Sequence, residues 1–150
     1  MCDYSLHNVA TRPAKVGDKL VTRQFINCLT RGFSDTENPY VAVCLRPGTE
    51  IAFDSDVEFE GGSGCFPTWK REAKTGMRVA RFRQVDVEKA YVHHDALEFP
   101  DGEIILLTRL MEGQGATVLQ LPAEPAKEPA RDTEQPTAQV TARQAVTQEA

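Results

Sequence analysis

The chain has 150 residues, 41% of them hydrophobic, with a formal net charge of −5 and a pI near 5.2. That length suits one folded domain. The acidic balance argues against a surface that wraps a phosphate backbone, and no apolar run of about eighteen residues is present to cross a membrane as a helix.

The opening MCDYSLHNVATRPAKVG has no basic run leading into an apolar core, so no secretory signal is expected. The cytoplasm is then the default compartment, where Cys2, Cys28, Cys44 and Cys65 are expected as reduced thiols. Their spacings of 26, 16 and 21 contain no C-x-x-C pair, the usual zinc signature. Cys2 carries a reading of its own. Removal of Met1 would leave thiol and α-amine on one residue, and an amine of pKa near 8 can act as the thiol's base. In this Met-Cys opening the chain resembles class II glutamine amidotransferases and the proteins that crosslink to abasic DNA. The resemblance implies Cys2 as a catalytic nucleophile. Those families usually continue Met-Cys-Gly, whereas this chain continues Met-Cys-Asp. The plainer reading is a small residue beside the first strand.

Lys19–Asn27 (KLVTRQFIN) is rich in β-branched and aromatic residues and predicts a strand. Tyr40–Leu45 (YVAVCL) is apolar on both faces and predicts an interior strand, with Cys44 a buried, inert thiol. Arg46-Pro47-Gly48-Thr49 has tight-turn chemistry and should join it as a hairpin to Glu50–Glu60. That segment, EIAFDSDVEFE, alternates Ile51, Phe53, Val57 and Phe59 against a row of carboxylates. A period of two marks an extended strand with one packed and one wet face. Gly61–Gly64 reads as a loop, with Cys65 beside it as an exposed thiol. Trp69–Thr75 and Asp86–Tyr91 each suit one or two helical turns, and Met77–Gln84 suits a strand. Asp95–Phe99 and Glu103–Met111 flank Pro100-Asp101-Gly102, the clearest hairpin turn in the chain. Glu103–Met111 is greasy on both faces and should be central. Ala116–Leu121 is a last strand. The expected fold is all-β, a small barrel or sandwich of about seven strands. From Pro122 to Ala150 there is no aromatic residue, Gly, Leu or Ile, and a disordered tail is expected. The domain is therefore 1–121 and the tail 122–150.

Three clusters bear chemistry. His93-His94-Asp95-Ala96-Leu97-Glu98 mixes imidazole and carboxylate, which suits a divalent transition metal. On a strand, residues two apart lie roughly 6.5–7 Å from each other, wide for one ion. The stretch His93 to Gly102 resembles the first motif of the cupin family, two histidines, a Glu, then a Gly. That implies a metal held by His93, His94 and Glu98. In cupins one residue separates the histidines; here they are adjacent. The alternative is ordinary hydrogen bonding at a strand start. The second cluster is Lys70, Arg71, Lys74, Arg78, Arg81 and Arg83, with Trp69 and Phe82 among them. It suits a grip on single-stranded nucleic acid, or pairing with the acidic Glu50–Glu60 strand. The third, Asp54-x-Asp56-x-Glu58, cannot converge the six to eight oxygens Ca²⁺ needs from one straight strand, and reads as a solvated face.

No phosphate loop, dinucleotide fingerprint, serine-hydrolase elbow or H-E-x-x-H motif is present, and His-based chemistry is limited to His7, His93 and His94. MCDYSLH, VAVCLRPGTEIAFDSDVEF and HHDALEFPDGEIILLTRL together resemble a family of short uncharacterised bacterial proteins, which implies no activity. The expected function is a cytoplasmic, non-catalytic binding or accessory protein with a protein or small-molecule ligand. Nucleic acid and membrane are not expected partners. Two alternatives are a cupin-like metalloprotein and an N-terminal-cysteine enzyme.

Overall fold

The computed structural model describes residues 8–26, 30–61 and 71–124, with the backbone alone at 71 and 72. The expected tail, beyond its first three residues, lies outside them. So do Cys2, His7, Cys28, Cys65, Trp69 and Lys70.

Alternation of apolar and polar residues turns about half of the described chain into strands. They are β1 (Ala10–Pro13), β2 (Lys19–Gln24), β3 (Arg31–Asp35), β4 (Val41–Cys44), β5 (Glu50–Phe53), β6 (Glu58–Gly61), β7 (Arg71–Lys74), β8 (Val79–Gln84), β9 (Asp95–Glu98), β10 (Ile104–Leu106) and β11 (Gly115–Gln120). Nine form one mixed sheet in the order β1-β4-β3-β2-β11-β5-β8-β9-β10. β6 and β7 form a separate antiparallel pair. Only β1 against β4 is parallel.

Burial follows the period of two. Ile51, Phe53, Val57 and Phe59 all enter one core with Phe33, Phe82 and Leu97. Phe33 and Phe53 meet with ring centroids 6.1 Å apart at a tilt of 52°, a favourable aromatic geometry. A hydroxyl and an amide join the β6–β7 pair to this core. Thr22 Oγ1 donates to Met111 O at 2.7 Å and accepts from Gln114 N at 2.9 Å. The Gln114 side chain donates to Glu58 O (2.8 Å) and accepts from Glu58 N (2.7 Å), so it pairs with β6 as a neighbouring strand would. Arg31 adds an ion pair to Glu60 at 2.9 Å. Arg109 lies 5.4 Å from the Phe59 ring centre and donates to Glu60 O.

Several sequence expectations need correction. The described fold has eleven strands rather than about seven, and its sheet does not close into a barrel: β1 and β10 remain edges. Glu50–Glu60 is not one strand. The polar Asp54-Ser55-Asp56 bends the chain, and β5 and β6 join different sheets. β4 and β5 share a turn but do not pair. Gly48 N donates to Phe82 O and Phe82 N to Thr49 O, which hands the chain to β8 instead. Glu103–Met111 is not a central strand. Its first residues make edge strand β10, and a 3-10 turn at Leu107–Arg109 then drops Leu107 and Leu110 into the core. It is greasy on both sides because it runs along the core, not because sheet flanks it. Arg71–Lys74 is strand, since pairing with β6 overrides the helix preference of Glu, Ala and Lys. Asp86–Tyr91 makes turns and no helix.

Candidate binding surface

The residues of the metal reading do not converge. His94 Nδ1 donates to Val85 O at 3.0 Å. Asp95 is buried and accepts from Gln84 Nε2 at 3.1 Å. Glu98 accepts from Arg83 at 3.0 Å, four positions beyond the histidine pair. Among the described residues no group of three or more His, Cys, Asp or Glu is placed to hold a metal ion.

The basic run meets the acidic strands side by side. Lys74 pairs with Glu58 (2.7 Å), Arg78 with Asp56 (3.2 Å), Arg81 with Glu50 (2.8 Å) and Arg83 with Glu98 (3.0 Å). Each exposed pair contributes only about 0.2–1 kcal/mol, yet together they favour the observed register. The four cations of the run whose side chains are described, Lys74, Arg78, Arg81 and Arg83, each face a carboxylate. Two of these pairs, Arg81–Glu50 and, through Glu98, Arg83–Glu98, edge a groove of about 330 Å³ lined by Glu50, Val79, Ala80, Arg81, Glu98, Phe99 and Pro100. Its mixture of charges offers no convergent nucleophile and base.

A second ionic knot ties β1 to the β1–β2 turn and β3. Arg12 bridges Asp18 at 2.6 Å and Asp35 at 2.5 Å. Burial pushes the Asp18 carboxyl up, but the Arg12 hydrogen bond, the Lys15 N–H and the Arg12 charge outweigh it and hold it below its usual value. The Asp35 carboxyl is lowered by the Glu37 N–H first and by Arg12 second.

Cys44 corrects the sequence reading of reduced thiols, for it is disulfide-bonded. Spacing along a chain does not show which cysteines meet in space. The other three lie outside the described residues.

The most distinctive surface is the β8–β9 loop. Val85 N donates to His94 O at 2.8 Å, and the His94 ring donates back to Val85 O, so the neck is closed twice. Lys89 N donates to Asp86 O at 2.9 Å, and the Lys89 ammonium reaches the Asp86 carboxylate at the same distance. Asp86 (φ 50°) and Tyr91 (φ 65°) both adopt left-handed backbone. Asp tolerates this; for Tyr it costs on the order of 1 kcal/mol or more. The loop presents Tyr91 fully exposed (106%), with Val87 at 64% and Val92 beside it. Sequence reasoning missed this surface, because helix-compatible residues hide the two left-handed positions. The one cue was three large apolar residues spread through a polar stretch before a histidine pair.

Comparison with protein-family models, curated proteins and solved structures finds no match to this chain.

Proposed function

We propose that this is a non-catalytic binding protein whose contact surface is the β8–β9 loop. The observation that carries the reading is Tyr91, an aromatic side chain wholly in solvent on strained backbone, held by a doubly bonded neck. Strain of this kind persists only where the surrounding structure enforces it, and such positions cluster at functional contacts. A pre-ordered loop loses little entropy on docking, and tyrosine is a common anchor of protein interfaces. The partner that fits is a protein with an apolar pocket for the ring. Glu88, exposed beside the Asp86–Lys89 pair, favours a cation at that pocket's rim.

The test is a quantitative recovery experiment from source cells, comparing the full-length chain with Tyr91→Ala and with a Val87→Ser, Val92→Ser double variant. The reading expects a partner that binds the parent chain directly in purified form, with affinity reduced roughly tenfold or more in both variants. Equal binding by all three chains sinks the loop as the contact.

A further inference from the structure

We propose that the solvent face of β5, β8 and β9 is the interface of a homodimer, in which Arg81 of each copy enters the other's groove and meets its Glu98. The inference stands on the sheet and does not rest on the Tyr91 reading. Side chains of these strands alternate between core and solvent. Ile51, Phe53, Ala80, Phe82 and Leu97 enter the core, so Glu50, Val79, Arg81 and Glu98 stand on the opposite face. The groove of about 330 Å³ lies there, chiefly over β8, β9 and the residues that follow β9. Its lining is part apolar, from Val79 (44% exposed) and Pro100, and part charged. Arg81 stands at its wall, with its side chain 60% exposed.

The charges on this face are arranged to match a second copy. Glu50, Arg81 and Glu98 are cross-strand partners in one row: negative, positive, negative. Arg81 bonds Glu50 at 2.8 Å and Glu98 bonds Arg83 at 3.0 Å, so Arg81 and Glu98 lie side by side without pairing to each other. A twofold axis parallel to the strands, midway between β8 and β9, turns that arrangement into two pairs between copies. It sets each Arg81 over the other copy's Glu98, and each Val79 over the other's Pro100. Sheets stacked face to face lie about 10 Å apart, within the combined reach of an arginine and a glutamate side chain. A guanidinium carries several N–H donors, so Arg81 keeps Glu50 while it binds the second carboxylate. An axis across the strands instead sets Arg81 against another Arg81, against Arg83 or against Val79, none of which supplies an opposite charge. An axis between β5 and β8 pairs Arg81 with Glu50, but it moves Arg81 off the groove's β9 side. The axis between β8 and β9 also leaves both Tyr91 loops at the same end of the dimer, since both strands run to that loop.

The experiment is sedimentation of the full chain over a wide concentration range, at low and at high salt. The expected mass rises from 16.6 kDa toward twice that value with concentration, and added salt weakens the association. Arg81→Glu and Glu98→Arg, each alone, set like charges face to face and should stay monomeric. Mixed in equal amounts, the two variants should associate with each other, because each contact then joins a Glu to an Arg. Only a contact between copies gives that rescue; a role confined to one chain leaves the mixture as monomeric as its parts. Tyr91→Ala should dimerise like the parent chain, which separates this reading from the loop's. A parent chain that stays monomeric throughout overturns the proposal. So does an unchanged dimer in both single variants, a mixture that does not associate, or rescue of Arg81→Glu by Glu50→Arg in place of Glu98→Arg. If either charge reversal does not fold, Arg81→Ala decides: association weakened on the order of tenfold or more supports the contact, and unchanged association overturns it.

Discussion

Gly48 carries the tightest local constraint among the described turns. Its φ is +96°, and a Cβ placed on it would lie 3.1 Å from Pro122 Cβ. Gly48→Ala is expected to destabilise by about 1–2 kcal/mol, read as a lower urea midpoint with unchanged slope. Gln114 is a second position where one side chain does the work of a strand. Its removal takes the Gln114 acceptor from Glu58 N and one of two donors from Glu58 O, which keeps Met111 N, and it weakens the hold on Met111 O. Gln114→Ala should cost about 1–3 kcal/mol, and Gln114→Glu should not restore it, because a carboxylate cannot donate to the Glu58 carbonyl. Tyr91 is the contrast. Its side chain touches little, so Tyr91→Ala should change stability by no more than about 0.5 kcal/mol in the same titration.

At the scale of elements, the Arg12 knot sets a pH dependence. The folded carboxyls of Asp18 and Asp35 lie below their ordinary values, so the unfolded chain binds protons first. Their stabilisation is complete above about pH 4 and is lost as pH falls through the lowered folded values. Arg12→Gln should lower stability at neutral pH and flatten the acid limb below about pH 4, so that the variant and the parent chain converge at low pH. An acid limb of unchanged slope would show that other carboxylates govern it. The elements also show which parts of the fold were legible. The burial of Ile51, Phe53, Val57 and Phe59 was readable, because side-chain alternation depends only on local geometry. The Pro100-Asp101-Gly102 hairpin was readable for the same reason. The bend at Asp54–Asp56 was not, since it arises from which strands claim each half. β3 (RGFSD) hid because only Phe33 in it is a strong strand former, and its buried Gly32 and Ser34 look like loop residues. β7 hid behind helix-forming residues that tertiary pairing overrules. Of the candidate site, the ion pairs of the basic run were foreseeable as acidic and basic rows. The left-handed Tyr91 and the Cys44 disulfide were not, being properties of the folded chain alone.

At the scale of the whole molecule, the core is continuous from β3 to the 3-10 turn. Phe33 lies at its centre, fully buried, and Phe33→Ala should cost about 3–5 kcal/mol, enough to unfold a chain of ordinary stability. The metal alternative is tested at the same scale. A chelator is expected to leave the melting temperature unchanged, and a fall of several degrees on chelation would restore His93 and His94 as ligands. The position of β11 has a further consequence. It is the last strand described, yet it lies between β2 and β5 in the middle of the large sheet. During synthesis, β2 and β5 must therefore wait with unpaired edges until residues 115–120 have left the ribosome's exit tunnel. A chain interrupted before Gly115 leaves two half-sheets with sticky margins, so premature termination near that point should yield aggregate rather than a smaller folded protein.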